Sequence, residues 1–189
     1  MRGQGSGDRG QRALARTPRS NVGWDVVDRP DVQLDELYRE VVMDHHRRPR
    51  GRAPLGRVDA RAHGFNPVCG DEVRLGLAVE GERVAGVEVL GRGCAICTAS
   101  GSILAELLPG RTLAEAEATA EAFRGVMHGQ PAPAAVDLGD LEALDGVRKF
   151  AVRVKCALLP WVTLIDALGA FRAGSGEAES TTEAEEGTP

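Results

Sequence analysis

The chain predicts an α+β fold, on three observations. Residues 72–89 carry an apolar period of two, the mark of a half-buried pair of strands. The segments before and after it carry apolar stripes at helical spacing. Glycine and proline stand at the joins between them. At 189 residues, 42% apolar and 27% charged, the chain suits one globular domain with ragged ends. We expect a disordered extension over 1–30, a folded domain over 31–172 and a disordered acidic tail over 173–189.

Residues 1–30 are rich in Gly and Arg and have no apolar period, so disorder is expected until about Trp24. The first helix is predicted over 32–47, where Leu34, Leu37, Tyr38, Val41, Val42 and His45 form one buried stripe. Asp31 is the expected N-cap and Pro49 the stop. His45 and His46 are adjacent, so on a helix they point apart and do not bind one ion. Residues 50–65 read as an Arg/Gly/Pro loop, with His63 a strand-edge residue or a group beside the cysteines.

Val73, Leu75, Leu77 and Val79 alternate with Glu72, Arg74 and Glu80, and a turn at Glu80-Gly81-Glu82 returns the chain through Ala85, Val87 and Val89. Gly91 and Gly93 end this hairpin. A helix follows over 95–108, closed by Pro109-Gly110, and Cys94 falls at its N-terminus, where backbone N–H groups favour a thiolate. Thr112-Leu113-Ala114-Glu115 reads as a capping box opening a helix that runs to Met127. Asp137 caps a short helix carrying Leu138, Leu141 and Leu144. Val147, Phe150, Val152 and Val154 lead into Cys156, and a last helix follows it, with Pro160 in its first turn.

The formal charge is −5, with +4 in residues 1–20 and −5 in residues 173–189. The acidic middle offers no footprint for a phosphate backbone, and 4% aromatics cannot build a base-stacking platform. No apolar run reads as long enough to span a membrane, and the N-terminal arginines lack an apolar secretory segment. A cytoplasmic protein is expected. In that compartment four cysteines favour metal binding or catalysis over disulfides.

Asn66-Pro67-Val68-Cys69-Gly70-Asp71 places a thiol and a carboxylate on either side of a glycine. Cys69, Cys94 and Cys156 each lie beside a structural break, and with Asp71 they supply the four N/S/O ligands that zinc takes. Gaps of 25 and 62 residues match no ribbon or finger, so ordinary buried cysteines are the alternative on spacing. Cys94 and Cys97 also form a CxxC, in which Cys97 is a spare ligand, a redox-sensitive neighbour or a packing residue.

Together with Leu37–His45, Gly93-Cys94-Ala95-Ile96, Val147–Phe150 and Arg153-Val154-Lys155-Cys156, that loop resembles the SufU/IscU family of iron–sulfur cluster assembly proteins over about residues 33–170. The resemblance implies a small antiparallel sheet of about three strands with helices packed on one side. It implies a metal set of Cys69, Asp71, Cys94 and Cys156, with Cys69 the sulfur acceptor and Arg153 and Lys155 basic residues beside it. Lys155 stands where the scaffold branch carries a histidine, and the stretch between Cys94 and Cys156 is longer than in that branch, by much of the Thr112–Met127 region. Both features resemble the SufU branch, which implies a zinc-dependent sulfurtransferase working with a SUF-type, PLP-dependent cysteine desulfurase and passing sulfur toward iron–sulfur scaffolds. An Fe–S scaffold on the same cysteines, and a purely structural zinc protein, are the other readings.

Overall fold

The structure is a computed structural model and describes residues 30–182. The expected extension over 1–30 therefore lies almost wholly outside the described residues, as do residues 183–189. Helix α1 spans Pro30–Arg47. Strands β1 (Ala60–Asn66), β2 (Asp71–Glu80) and β3 (Arg83–Arg92) follow. Helices α2 (Ala95–Leu107), α3 (Leu113–Met127) and α4 (Ala151–Ala173) come next, with a 3-10 segment at Gly139–Lys149 before α4. Strand β4 (Glu177–Thr181) closes the order.

The sheet runs β3-β2-β1-β4. β2 and β3 form the expected antiparallel hairpin, and β1 pairs antiparallel to β2, with Asn66 opposite Asp71. Its alternate residues Val73, Leu75, Leu77 and Val89 are buried on one face. α2, α3 and α4 cover that face, and Arg61, His63, Arg74 and Glu88 line the other. That outer face carries a cavity of about 730 Å³, away from the cysteines.

Four corrections follow. The sheet has four strands, not three, because the acidic tail is partly ordered. β4 adds to the free edge of β1 in parallel, Arg61 beside Glu177 and Phe65 beside Thr181. The backbone hydrogen bonds of an open edge outweigh the tail's low apolar content. β1 lies in the expected loop: Ala-Arg-Ala-His-Gly-Phe-Asn has weak strand propensity, and pairing with β2 decides it. α4 starts at Ala151, so Arg153, Lys155 and Cys156 are helical and Pro160 is internal. Val154, Ala157, Leu158 and Trp161 then share one buried face, which an extended segment could not provide. Last, α1 begins at Pro30, so Asp31 is inside the helix, and Leu37 is 57% exposed rather than part of the stripe.

α4 is also long and apolar enough to cross a membrane, at 23 residues and a mean hydropathy of 1.5, contrary to the expectation that no run is. Two thirds of it is buried inside the domain, against β1, α2 and α3. It is the central core helix. Trp161 is 1% exposed and tilts against Phe123 of α3, ring centroids 5.6 Å apart. Its indole N–H donates to Ser100 Oγ at 3.0 Å, and that hydroxyl donates to the Ala157 carbonyl at 2.6 Å. The bond pair ties α2 to α4 and so fixes Cys94 relative to Cys156.

The capping box is present: Glu115 N–H donates to Thr112 Oγ1 at 3.1 Å, and Thr112 N–H to Glu115 Oε2 at 2.7 Å. Leu113, Ala116, Ala120, Phe123 and Met127 are all buried, as the stripe predicts. His45 is 2% exposed and bridges α1 to Ser102 at 2.8 Å and Asp140 at 3.1 Å.

Candidate metal centre

Three elements meet at one end of the sheet. β1 hands the chain to the Asn66–Gly70 turn, closed by Gly70 N–H donating to the Asn66 carbonyl at 2.8 Å. Gly70 has φ 68°, a left-handed conformation that other residues adopt at a cost. It turns the chain so that Cys69 precedes and Asp71 begins β2. The N-terminus of α2 brings Cys94, and the second turn of α4 brings Cys156.

The donor atoms of Cys69, Asp71 and Cys156 all lie within 4.8 Å of one another, and the Cys69 and Cys156 sulfurs are 3.2 Å apart. Cys156 and Asp71 are buried, while Cys69 is half-buried. Asp71 Oδ1 accepts the backbone N–H of Cys94 at 2.9 Å. Asp71 Oδ2 is buried with no hydrogen-bond partner. A buried carboxyl oxygen left without a partner among thiols is costly unless a cation or a donor meets it. Thiolates and one carboxylate are a donor set that zinc accepts, so the residues present fit that ion.

Cys94 caps α2, and its thiol faces Cys156. It is pulled down to about 6, first by the Cys156 S–H donating to it, and also by the N–H groups of Cys97 and Ile96, against burial. Cys156 is pushed up, first because Cys94 holds its proton and then by burial. The fourth ligand expected from the sequence thus faces Cys156 but is not among the three whose donor atoms fall within 4.8 Å of one another.

Cys97 lies close by but outside that trio: a Cβ on Gly93 would stand 3.0 Å from its sulfur and 3.3 Å from Asp71 Oδ1. It is 3% exposed, sits in the hydrophobic core, and burial pushes its thiol up, so it stays protonated. Of its three readings, packing is the one this position matches. Arg153 is exposed and faces Cys94 and Cys156, and the Cys94 thiolate, first of all, holds its guanidinium more firmly protonated. Lys155 is half-buried on the same helix. As the residue before Cys156 it leaves the helix about 100° around from that cysteine. His63 is not at the centre: it pairs with Glu72 at 3.1 Å on the outer sheet face. What the sequence did not assign is Asn66, fully buried, whose amide reaches Cys156.

An apolar rim borders the thiols. Val68 is 57% exposed, Phe150 62% and Val152 52%. Beside them a groove of about 620 Å³ is lined by Tyr38, Val42, Ile96, Val147, Phe150 and Arg153.

Residues 37–157 match the family described as NifU-like N terminal domain. The chain is 39% identical over 137 residues to the zinc-dependent sulfurtransferase SufU of Bacillus subtilis, covering 71% of this chain and 90% of that one. It is 38% identical over 136 residues to the iron–sulfur cluster assembly scaffold protein IscU of Streptococcus pyogenes, covering 72% and 85%. A solved structure from Fervidobacterium islandicum, described as an iron–sulfur cluster assembly scaffold protein for the SUF system, superposes with a TM-score of 0.63 at 32% identity, over 68% of this chain and 94% of that one.

Proposed function

We infer the function from membership: the chain belongs to the NifU-like N-terminal domain family, that of the IscU/SufU iron–sulfur cluster assembly proteins. Within it, this chain is a zinc-dependent sulfurtransferase that accepts persulfide sulfur from a SUF-type, PLP-dependent cysteine desulfurase and passes it toward iron–sulfur scaffolds in the cytoplasm. The observation that carries this is Cys69: a half-buried thiol on a glycine-hinged turn, 3.2 Å from a second sulfur and beside a bare carboxylate oxygen.

Cys69, Asp71, Cys94 and Cys156 would hold the ion. When bound, zinc keeps thiolates deprotonated and protects them from oxidation. Asp71 is a harder and weaker donor than sulfur, which suits a sphere that must rearrange. The Cys69 thiolate attacks the outer sulfur of the partner's persulfide. The sulfur–sulfur bond of the partner breaks, its cysteine leaves as thiolate, and Cys69 becomes the persulfide. Arg153, facing the thiols, attracts the incoming anion. Lys155 adds positive charge on the same helix. Val68, Phe150 and Val152 give the partner an apolar rim to cover.

A SUF-type cysteine desulfurase with free cysteine and reductant is the test, followed as alanine formation. The wild-type chain should accelerate turnover many-fold, and Cys69→Ala should lose that acceleration. No acceleration by zinc-loaded, folded protein would overturn sulfur transfer. The scaffold reading, supported by likeness to the streptococcal IscU, then predicts a brown cluster on anaerobic incubation with iron and sulfide.

A further inference from the structure

We infer that Asn66 is a positioning residue for the metal centre: its side-chain amide shapes the Cys69 turn at one end and hydrogen-bonds the Cys156 sulfur at the other. The inference rests on the metal-binding part of the reading above and not on sulfur transfer.

Asn66 ends β1 on the inward side of the pleat, 0% exposed, and pairs with Asp71 across the strands. A buried amide is costly unless its polar atoms are satisfied. Here both ends are engaged. Oδ1 accepts the Val68 N–H at 3.2 Å, a side-chain turn of the kind asparagine favours. Nδ2 lies 3.7 Å from Cys156 Sγ, 90 residues away in sequence. The amide's orientation is forced, because the Val68 N–H can be met only by the oxygen. The N–H end therefore faces sulfur. With the Asn66 carbonyl holding Gly70, one residue sets the turn that carries Cys69 and touches the helix that carries Cys156.

An N–H donor draws electron density from the sulfur that accepts it. It also holds the sulfur in a fixed direction, as partners of metal ligands do, and losing such a partner typically weakens metal affinity about 10–100-fold. Asn66→Asp keeps the shape and the Val68 contact but aims an oxygen at Cys156.

The test uses the full chain loaded with cobalt or cadmium, without any desulfurase. In Asn66→Asp and Asn66→Ala the sulfur-to-cobalt charge-transfer band should move to lower energy, and zinc affinity should fall about 10–100-fold at unchanged stoichiometry. A mere packing role would leave the band in place. Should either variant fold poorly, the wild type answers alone: with ¹¹³Cd bound, the Asn66 side-chain proton should show scalar coupling to the metal through Cys156. An unmoved band in folded variants, or no coupling at that proton while others couple, overturns the inference. A wild type that binds the metal but accepts no sulfur would refute the transferase reading and leave this one standing.

Discussion

Single side chains at the centre separate into ligands, helpers and bystanders, and each class has its own variant. Asp71→Ala removes the carboxylate whose Oδ2 has no partner. It should leave a folded chain that loses zinc to a chelator at least tenfold faster, read with a chromophoric zinc indicator. Cys97 behaves oppositely. It is buried in the core with its thiol held protonated, as a packing residue would be. Cys97→Ala should keep the zinc per chain unchanged and cost about 1 kcal/mol on deleting one buried group, measured by denaturant unfolding. Arg153→Ala keeps every sulfur and removes only the cation facing Cys94 and Cys156. Zinc content should hold while alanine formation with the desulfurase slows severalfold.

Elements carry these residues, and their joints are where structure is most exposed to change. Gly64 of β1 lies under α4: a Cβ there would stand 2.0 Å from Thr163 Oγ1, a buried hydroxyl bonded to the Leu159 carbonyl. Gly64→Ala should destabilise by about 1–3 kcal/mol as β1 and α4 separate, visible as a lower melting temperature. Thr112→Ala opens the capping box of α3 and should cost about 1 kcal/mol. The box is also pH-sensitive. Thr112 N–H and hydroxyl donors hold the Glu115 carboxyl below its usual range. Its folded value is the lower one, so its support is full above the usual carboxylate range and fades as pH falls through the folded value. Glu115→Gln should flatten that acid limb. Elements were legible in the sequence where one face dominates: the β2–β3 hairpin, α2 and α3 with its cap. β1 and β4 were not, because Ala, Gly and Glu carry little strand preference and only a neighbouring edge decides them. The start of α4 was misread because Phe150, Val152 and Val154 imitate a strand, although Phe150 and Val152 face solvent. The centre was legible through its cysteines and Asp71. Asn66 was not, since nothing local in sequence pairs residue 66 with residue 156.

The whole domain is one sheet wrapped on one side by helices, with its open edge closed in cis by the tail. Removing residues 176–189 would strip β4 and leave the β1 edge, with Phe65 already 42% exposed, unpaired. Such edges recruit other strands. The shortened chain should self-associate in sedimentation velocity at concentrations where the full chain gives one slower species. The direction of β4 matters as well. It runs parallel to β1, so the chain leaves the sheet at Thr182 on the same end as the Cys69 turn. A segment fused directly after Thr182 would start from that end of the sheet. A polyhistidine purification tag placed there would bring imidazoles and its own nickel or zinc to the doorstep of the centre. Metal counts are therefore to be taken on protein whose tag is elsewhere or has been cut away.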